Sequence, residues 1–257
     1  MSEPILETTG LGKKFGHFAA NAGIDFRVNA GELRAVIGPN GAGKTTFFNL
    51  LSGLTLPSEG AIRYKGRAIT HIAGPQRVRL GIAKAFQTAN LYPQQTVEQN
   101  VRLAALARVQ GPFALQVWRG SARLREVAAL ADAALERVDL RGVAQLRSGD
   151  LSHGDKKRLD IAIALATRPD ILLLDEPVAG MSIDESRRTE ALIKGLAAQM
   201  TVLIIEHDMQ MIMGISDSIT VLHQGRVLAA GTPAEIRANA KVQEAYLGGH
   251  SEAEIAG

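Results

Sequence analysis

Cysteine is absent from the 257 residues. That excludes disulfide frameworks, cysteine-ligated zinc, iron–sulfur clusters and thiol catalysis, and it suits a reducing compartment. Aromatic residues are scarce at 4%, so aliphatic side chains must build most of any core. Long hydrophobic runs are missing too. Stretches such as Ile161 to Ala166 and Ile171 to Leu174 fall far below the ~20 apolar residues that a membrane helix needs. Any membrane role must therefore come through a partner. The opening residues, MSEPILETTG, hold no basic segment ahead of an apolar core, so no secretory leader is expected. Neither charge dominates: 29 Lys and Arg stand against 26 Asp and Glu, a net charge of +3 with His neutral. That excess is too small to argue for nucleic acid or an anionic membrane. No long repeat or low-complexity tract is visible, and residues 251–257 read as a frayed tail.

The composition that remains is globular, with 46% hydrophobic and 21% charged residues, which argues against a wholly disordered chain. The length suits one large domain, or a core with a subdomain, burying roughly 70% or more of its unfolded surface. Glycine is enriched, at 26 residues, and its placement carries information.

Ile24 to Val28 alternates apolar and charged residues, as a half-buried strand does. Asn29 to Glu32 reads as a turn, and Leu33 to Ile37 as a strand that runs into a glycine-rich loop. Thr45 to Leu51 has helical character and stops near Gly53, and a small strand–turn region follows through Ala61 to Tyr64. From about Thr96 to Arg147 apolar residues recur at helical spacing, with Leu124, Val127, Ala128, Ala131, Leu135 and Val138 on one stripe. The spacing predicts a helical subdomain interrupted around Gly111-Pro112. Ser152 with Asp155 resembles a capping box opening a helix to about Thr167. Ile171 to Leu174 and Thr201 to Ile205 are continuous apolar runs, expected of strands buried on both faces, with a helix from about Asp184 to Met200 between them. Strands alternating with helices predict a parallel α/β core.

Gly38-Pro39-Asn40-Gly41-Ala42-Gly43-Lys44-Thr45, followed by Thr46, fits the G-x-x-x-x-G-K-[ST] phosphate loop. Phosphate needs dense N–H donors. Glycines let the backbone approach it, and the following helix N-terminus adds positive potential. Lys44 is expected at the β- and γ-phosphates and the Thr45 hydroxyl on Mg²⁺. Leu172 to Pro177 places Asp175 and Glu176 at the end of a buried strand, where open α/β sheets bind ligands. Asp175 is expected in the Mg²⁺ shell and Glu176 as acceptor of a proton from the attacking water.

With these motifs in order, the chain resembles the ATP-binding subunits of ABC transporters over nearly its whole length. Leu151-Ser152-His153-Gly154-Asp155 is similar to the family's signature sequence, Phe86-Gln87 to its Q-loop, and His207 to its switch histidine, while Phe15 stands where the family stacks an aromatic on adenine. Taken singly, these also fit a helix cap, a surface glutamine, a strand-end histidine and a core aromatic; the ordered set carries the resemblance. It implies an ABC-type phosphate-loop ATPase core with a small antiparallel β subdomain and an inserted helical subdomain. The β subdomain and core would span about residues 1–88 and 148–250, and the helical subdomain about 89–147. Catalytic roles would fall to Glu176, His207, Lys44 and Gln87. Nucleotide contacts would come from Phe15, the phosphate loop through Thr46, Gln87 and His207. Ser152, Gly154 and Asp155 would serve a neighbouring subunit's nucleotide, and Thr45, Gln87 and Asp175 would face Mg²⁺.

Two departures stand out. Asp155 replaces the signature's usual Gln, so its carboxylate needs shielding or a turned-away rotamer near ATP; Lys156, Lys157 and Arg158 adjoin it. Ser182 takes the place of an aspartate in the family's D-loop. The series Ile205 to Met209, Met213 to Asp217, Gly231 to Pro233 and Ala245 to Gly248, with Thr96 to Asn100, resembles the larger ATPase subunit of branched-chain amino acid importers. Urea or amide importers and the lipopolysaccharide exporter use similar ATPases, and soluble ABC ATPases of DNA repair and ribosomes form a further class. The importer reading implies transmembrane permeases, a second ATPase (paralogue or self) packed head to tail, a periplasmic binding protein and no nucleic acid. It places the chain peripherally on the cytoplasmic face of the membrane.

Overall fold

A computed structural model describes residues 3–85, 91–110 and 121–247. Phe86, Gln87, Gly111, Pro112 and the expected tail lie outside them. The described residues divide into two compact units. One holds those up to Arg77 together with those from Ile193 onward, and the other holds Val78 to Leu192.

The first unit opens with β1 (Leu6–Phe15) and β2 (Phe18–Val28), an antiparallel hairpin whose register runs from Leu6↔Val28 to Phe15↔Phe18. β3 (Leu33–Ile37) leads through the glycine loop into α1 (Lys44–Ser52). β4 (Glu59–Tyr64) and β5 (Arg67–Ala68) complete a sheet of order β2-β1-β4-β5. This is the small antiparallel sheet that the resemblance implies. After α2 (Gly74–Leu80), the second unit begins with β6 (Ile82–Ala85), α3 (Val97–Gln110) and α4 (Ser121–Arg137). It continues with α5 (His153–Leu165), β7 (Ile171–Asp175) and most of α6 (Ile183–Ala197). The chain then returns to the first unit with β8 (Thr201–Ile205), α7 (Met209–Ile215), β9 (Ser218–His223), β10 (Arg226–Gly231), α8 (Pro233–Arg237) and α9 (Ala240–Leu247).

β3 lies between β8 and β9 and is parallel to both, with β10 antiparallel on β9. Every residue of β7 and β8 is buried, which is why their sequences are unbroken apolar runs rather than alternating ones. In the second unit β6 and β7 pair in parallel, and α3 and α4 pack on each other and on α5. The buried stripe of α4 is Val127, Leu130, Ala131, Ala134 and Leu135, continued by Val138. Leu124 departs from expectation: it lies one turn before the stripe begins and is 69% exposed.

Arg77 anchors the first unit in a way no sequence pattern announces. It is fully buried. Its guanidinium donates to the carbonyls of Leu50 and Leu51 in the last turn of α1, and to those of Ile69, Thr70 and Ile72. A cation among the terminal carbonyls satisfies acceptors left over by the helix and complements its dipole. Burial pulls its pKa down to about 10, so it stays protonated at neutral pH.

Candidate nucleotide site

Two groups of candidate residues form, one in each unit. In the first, the register Val36↔Ile205 places the ends of β3 and β8 side by side, so the loop starting at Gly38 and the Glu206-His207 pair leave the same edge of the sheet. The loop's glycines are required by space and by backbone. Gly38 has φ 152° and a Cβ there would lie 2.1 Å from the Leu222 carbonyl oxygen. At Gly43, φ is 93° and a Cβ would meet the Ala20 oxygen at 2.4 Å. The buried Asn21 amide donates to the Gly43 carbonyl at 3.2 Å, and the Gly225 N–H to that of Ala42 at 3.1 Å. Lys44 reaches back over the loop, its ammonium donating to Gly38 O at 2.6 Å and Pro39 O at 3.1 Å. The result is a cation set into a loop of backbone donors at a helix N-terminus, which is a phosphate-binding arrangement.

Phe15 is 52% exposed, with the Lys13 ammonium 5.2 Å from its ring centroid. That removes the core explanation for this residue and leaves a ring face open for stacking. His207 is exposed, and its Nδ1 lies 3.6 Å from Oε2 of Glu206, whose side chain is fully buried.

In the second unit, β7 ends at Asp175, whose carboxylate is buried. The Lys84 ammonium lies 2.9 Å from Oδ2, but neither carboxylate oxygen has an aligned hydrogen bond among the described residues. The Lys84 contact is therefore an ion pair. Next to it Glu176 adopts φ 51°, the left-handed region, which is costly for a side chain with a Cβ and recurs at functional sites. Its carbonyl accepts from the Lys157 ammonium at 2.5 Å. Asp160, Asp175, Glu176 and Lys157 line one small cavity.

Magnesium prefers oxygen ligands, retains several waters and needs only one or two protein donors. The buried Asp175 carboxylate, whose Oδ1 has no partner among the described residues, suits that ion. Among the described residues no cluster of three or more His, Asp or Glu could cage a metal. Lys84→Met strips Asp175 of its nearby cation. We expect the nucleotide-free chain to lose about 1–3 kcal/mol of stability. Magnesium with ADP should then raise its melting temperature by more than in the wild type. Unchanged denaturant midpoints would contradict the pairing.

The signature-like segment starts α5. Ser152 is its N-cap, accepting the Asp155 N–H at 3.1 Å. The Asp155 carboxylate does not reach back to complete a capping box; it pairs with Arg158 one turn along. The shielding that Asp155 requires is thus supplied by its own helix. Asp155→Gln should cost about 0.5–1 kcal/mol and leave ATP-driven subunit association unaltered; thermal melting and an ATP titration of dimerisation on one preparation check both. Ser182 has a local role as well. Its hydroxyl and N–H donate to Glu185 Oε2 at 2.8 and 3.0 Å, a reciprocal cap on α6. The Ser182 N–H, then its hydroxyl, hold the Glu185 carboxyl below the usual carboxylate range. Glu185 also covers Gly154, where a Cβ would meet Oε1 at 2.6 Å. Glu185, Lys84 and Asn21 were not singled out from the sequence. The Ser-x-x-Glu spacing could have found Glu185, whereas Lys84 and Asn21 acquire their roles only through tertiary contacts.

Comparison with known proteins bears on this arrangement. A family model described as ABC transporter matches residues 22–179, and the chain belongs to that family, as an ATP-binding ATPase. A second, described as branched-chain amino acid ATP-binding cassette transporter, matches residues 226–252. The chain is 42% identical over 253 residues to the high-affinity branched-chain amino acid transport ATP-binding protein BraF of Pseudomonas aeruginosa, covering 96% of this chain and 99% of that one. Its identity to LivG of Escherichia coli K12, described in the same words, is 40% over 253 residues, with the same coverage. A solved ATP-binding cassette of an ABC transporter superposes at TM-score 0.84 with 29% identity, over 95% of this chain and 99% of that one.

Proposed function

We propose that this chain is the ATP-hydrolysing subunit of an importer for branched-chain amino acids. The observation that carries the reading is full-length similarity to two such subunits, joined by a match to the branched-chain type at residues 226–252. The phosphate loop, Gly38 to Thr46, holds the β- and γ-phosphates through its N–H groups and Lys44. Phe15 stacks on the adenine. Thr45, Asp175 and Gln87 are the residues that would hold Mg²⁺, and the ion would offset charge on the phosphate oxygens. Glu176 accepts the proton of the attacking water, and His207 contacts the γ-phosphate. Ser152 and Gly154 complete the site of a second ATPase subunit, identical or paralogous, packed head to tail, while Asp155 stays turned to Arg158. ATP binding closes the pair and hydrolysis resets it.

No described helix is long and apolar enough to cross a membrane, so the work passes to permeases docked from the cytoplasmic side, loaded by a periplasmic binding protein. The test is reconstitution in proteoliposomes with the permeases and binding protein encoded by neighbouring genes. Leucine, isoleucine or valine should stimulate ATP hydrolysis and be taken up. Stimulation by urea or an amide, with none by these amino acids, would overturn the cargo.

A further inference from the structure

A concavity of about 420 Å³ lies in the first unit, away from the phosphate loop, lined by residues of β1, β2, β3, β9 and β10. Its most unusual feature is Arg34 on β3. The Nε of Arg34 is engaged, donating to Glu32 Oε1 at 2.8 Å and Ser218 Oγ at 2.7 Å. The guanidinium also lies 5.4 Å from the Phe26 ring centroid. Its two terminal amino groups have no hydrogen-bond partner among the described residues, although the side chain is only 18% exposed. Thr220, opposite Ala230 on β10, is 2% exposed, and its hydroxyl oxygen, which has no partner among the described residues, is itself covered. Buried polar groups normally find partners. Here the two terminal amino groups of the largely covered Arg34 remain unmatched in the wall of the cavity.

The chemistry of the wall narrows the ligand. An arginine locked along its Nε edge presents the opposite edge as a preorganised fork, which matches a carboxylate in bidentate fashion. Asp25 on the same wall is exposed, and only its Oδ1 is used, accepting the Gly10 N–H at 2.7 Å. Phe26, Val227 and Ala230 supply an apolar surface. A doubly charged phosphate is disfavoured because the two cations of the wall are already offset: Arg34 pairs with Glu32, Arg27 lies 3.8 Å from Glu7, and Asp25 adds a further negative charge. We propose that the concavity binds a free α-amino acid with a small apolar side chain. Its carboxylate would bond the terminal amino groups of Arg34, its ammonium Asp25, and its side chain would rest against Val227 and Ala230. The inference stands on the cavity and not on the cargo reading.

Titration of the purified full chain, followed by amide chemical shifts, tests it. The probes are leucine, isovalerate (no ammonium), isoamylamine (no carboxylate) and inorganic phosphate. Leucine should saturate with a Kd on the order of 1 mM or tighter, and the other three should bind at least ~10-fold more weakly. Arg34→Met and Arg34→Lys should each weaken leucine at least ~10-fold, since lysine lacks the fork. Asp25→Asn, nearly isosteric, should weaken it several-fold. Retained Mg·ADP binding shows that the variants are folded. Absence of leucine binding, equal binding of isovalerate or phosphate, or full affinity in folded Asp25→Asn and Arg34→Lys would each overturn the proposal.

Discussion

Lys44→Ala should bind nucleotide roughly 10- to 100-fold more weakly, the range for losing charge-assisted hydrogen bonds, and its turnover should fall below detection. The reason is local. Lys44 is the first residue of α1, and its ammonium already sits over the loop on the Gly38 and Pro39 carbonyls. The cation is therefore positioned before phosphate arrives, and little reorganisation is needed when it does. Alanine removes the charge and keeps the helix, so melting should change little. Equilibrium titration with ATP and a phosphate-release assay on one preparation measure both effects. Near-normal hydrolysis by the folded variant would remove the phosphate-loop assignment.

Glu176→Gln should separate binding from chemistry. The glutamine keeps the shape of the side chain and the strained φ of 51°, with the Lys157 ammonium still on the backbone carbonyl. It cannot take a proton from water. ATP affinity should stay within a few-fold of wild type while hydrolysis drops by ~10²-fold or more, the range for a lost general base. An ATP-dependent dimer should accumulate, visible by light scattering. Wild-type turnover in this variant would reject Glu176 as the base.

The elements that could be read from the sequence are those whose signal is local. β3 and β8 match the expected ranges to the residue, and β7 extends its run by one, to Asp175, because a short apolar run between turn residues has few alternatives. The phosphate loop was legible because its glycines are forced by close backbone approach. The helix at Ser152 announced itself through its cap, although it ends at Leu165 rather than near Thr167. β1 was not legible. Its pairing with β2 shifts register between Thr8 and Leu11 and twice more, which destroys the two-residue alternation that marks a strand. For the same reason only the last five residues of β2 were recognised. β6, four residues long, is below the length at which periodicity is informative. In the candidate site, Asp175 and Glu176 could be placed at a strand end, but the ion pair with Lys84 arises only once β6 lies against β7. The Arg158 partner of Asp155 was foreshadowed by the basic residues beside it. Choosing Arg158 over Lys156 and Lys157 required the helix, which brings residues three apart onto one face.

We propose that the chain hydrolyses ATP in a site shared with a second subunit. The most direct measurement is the specific ATPase rate of the isolated chain across a wide range of its own concentration, with oligomeric state followed in parallel. Turnover per molecule should be slow at high dilution and rise as dimers form, since on the proposed arrangement Ser152 and Gly154 would serve the opposite subunit's nucleotide. A full rate, independent of concentration and sustained by a demonstrated monomer, would contradict it.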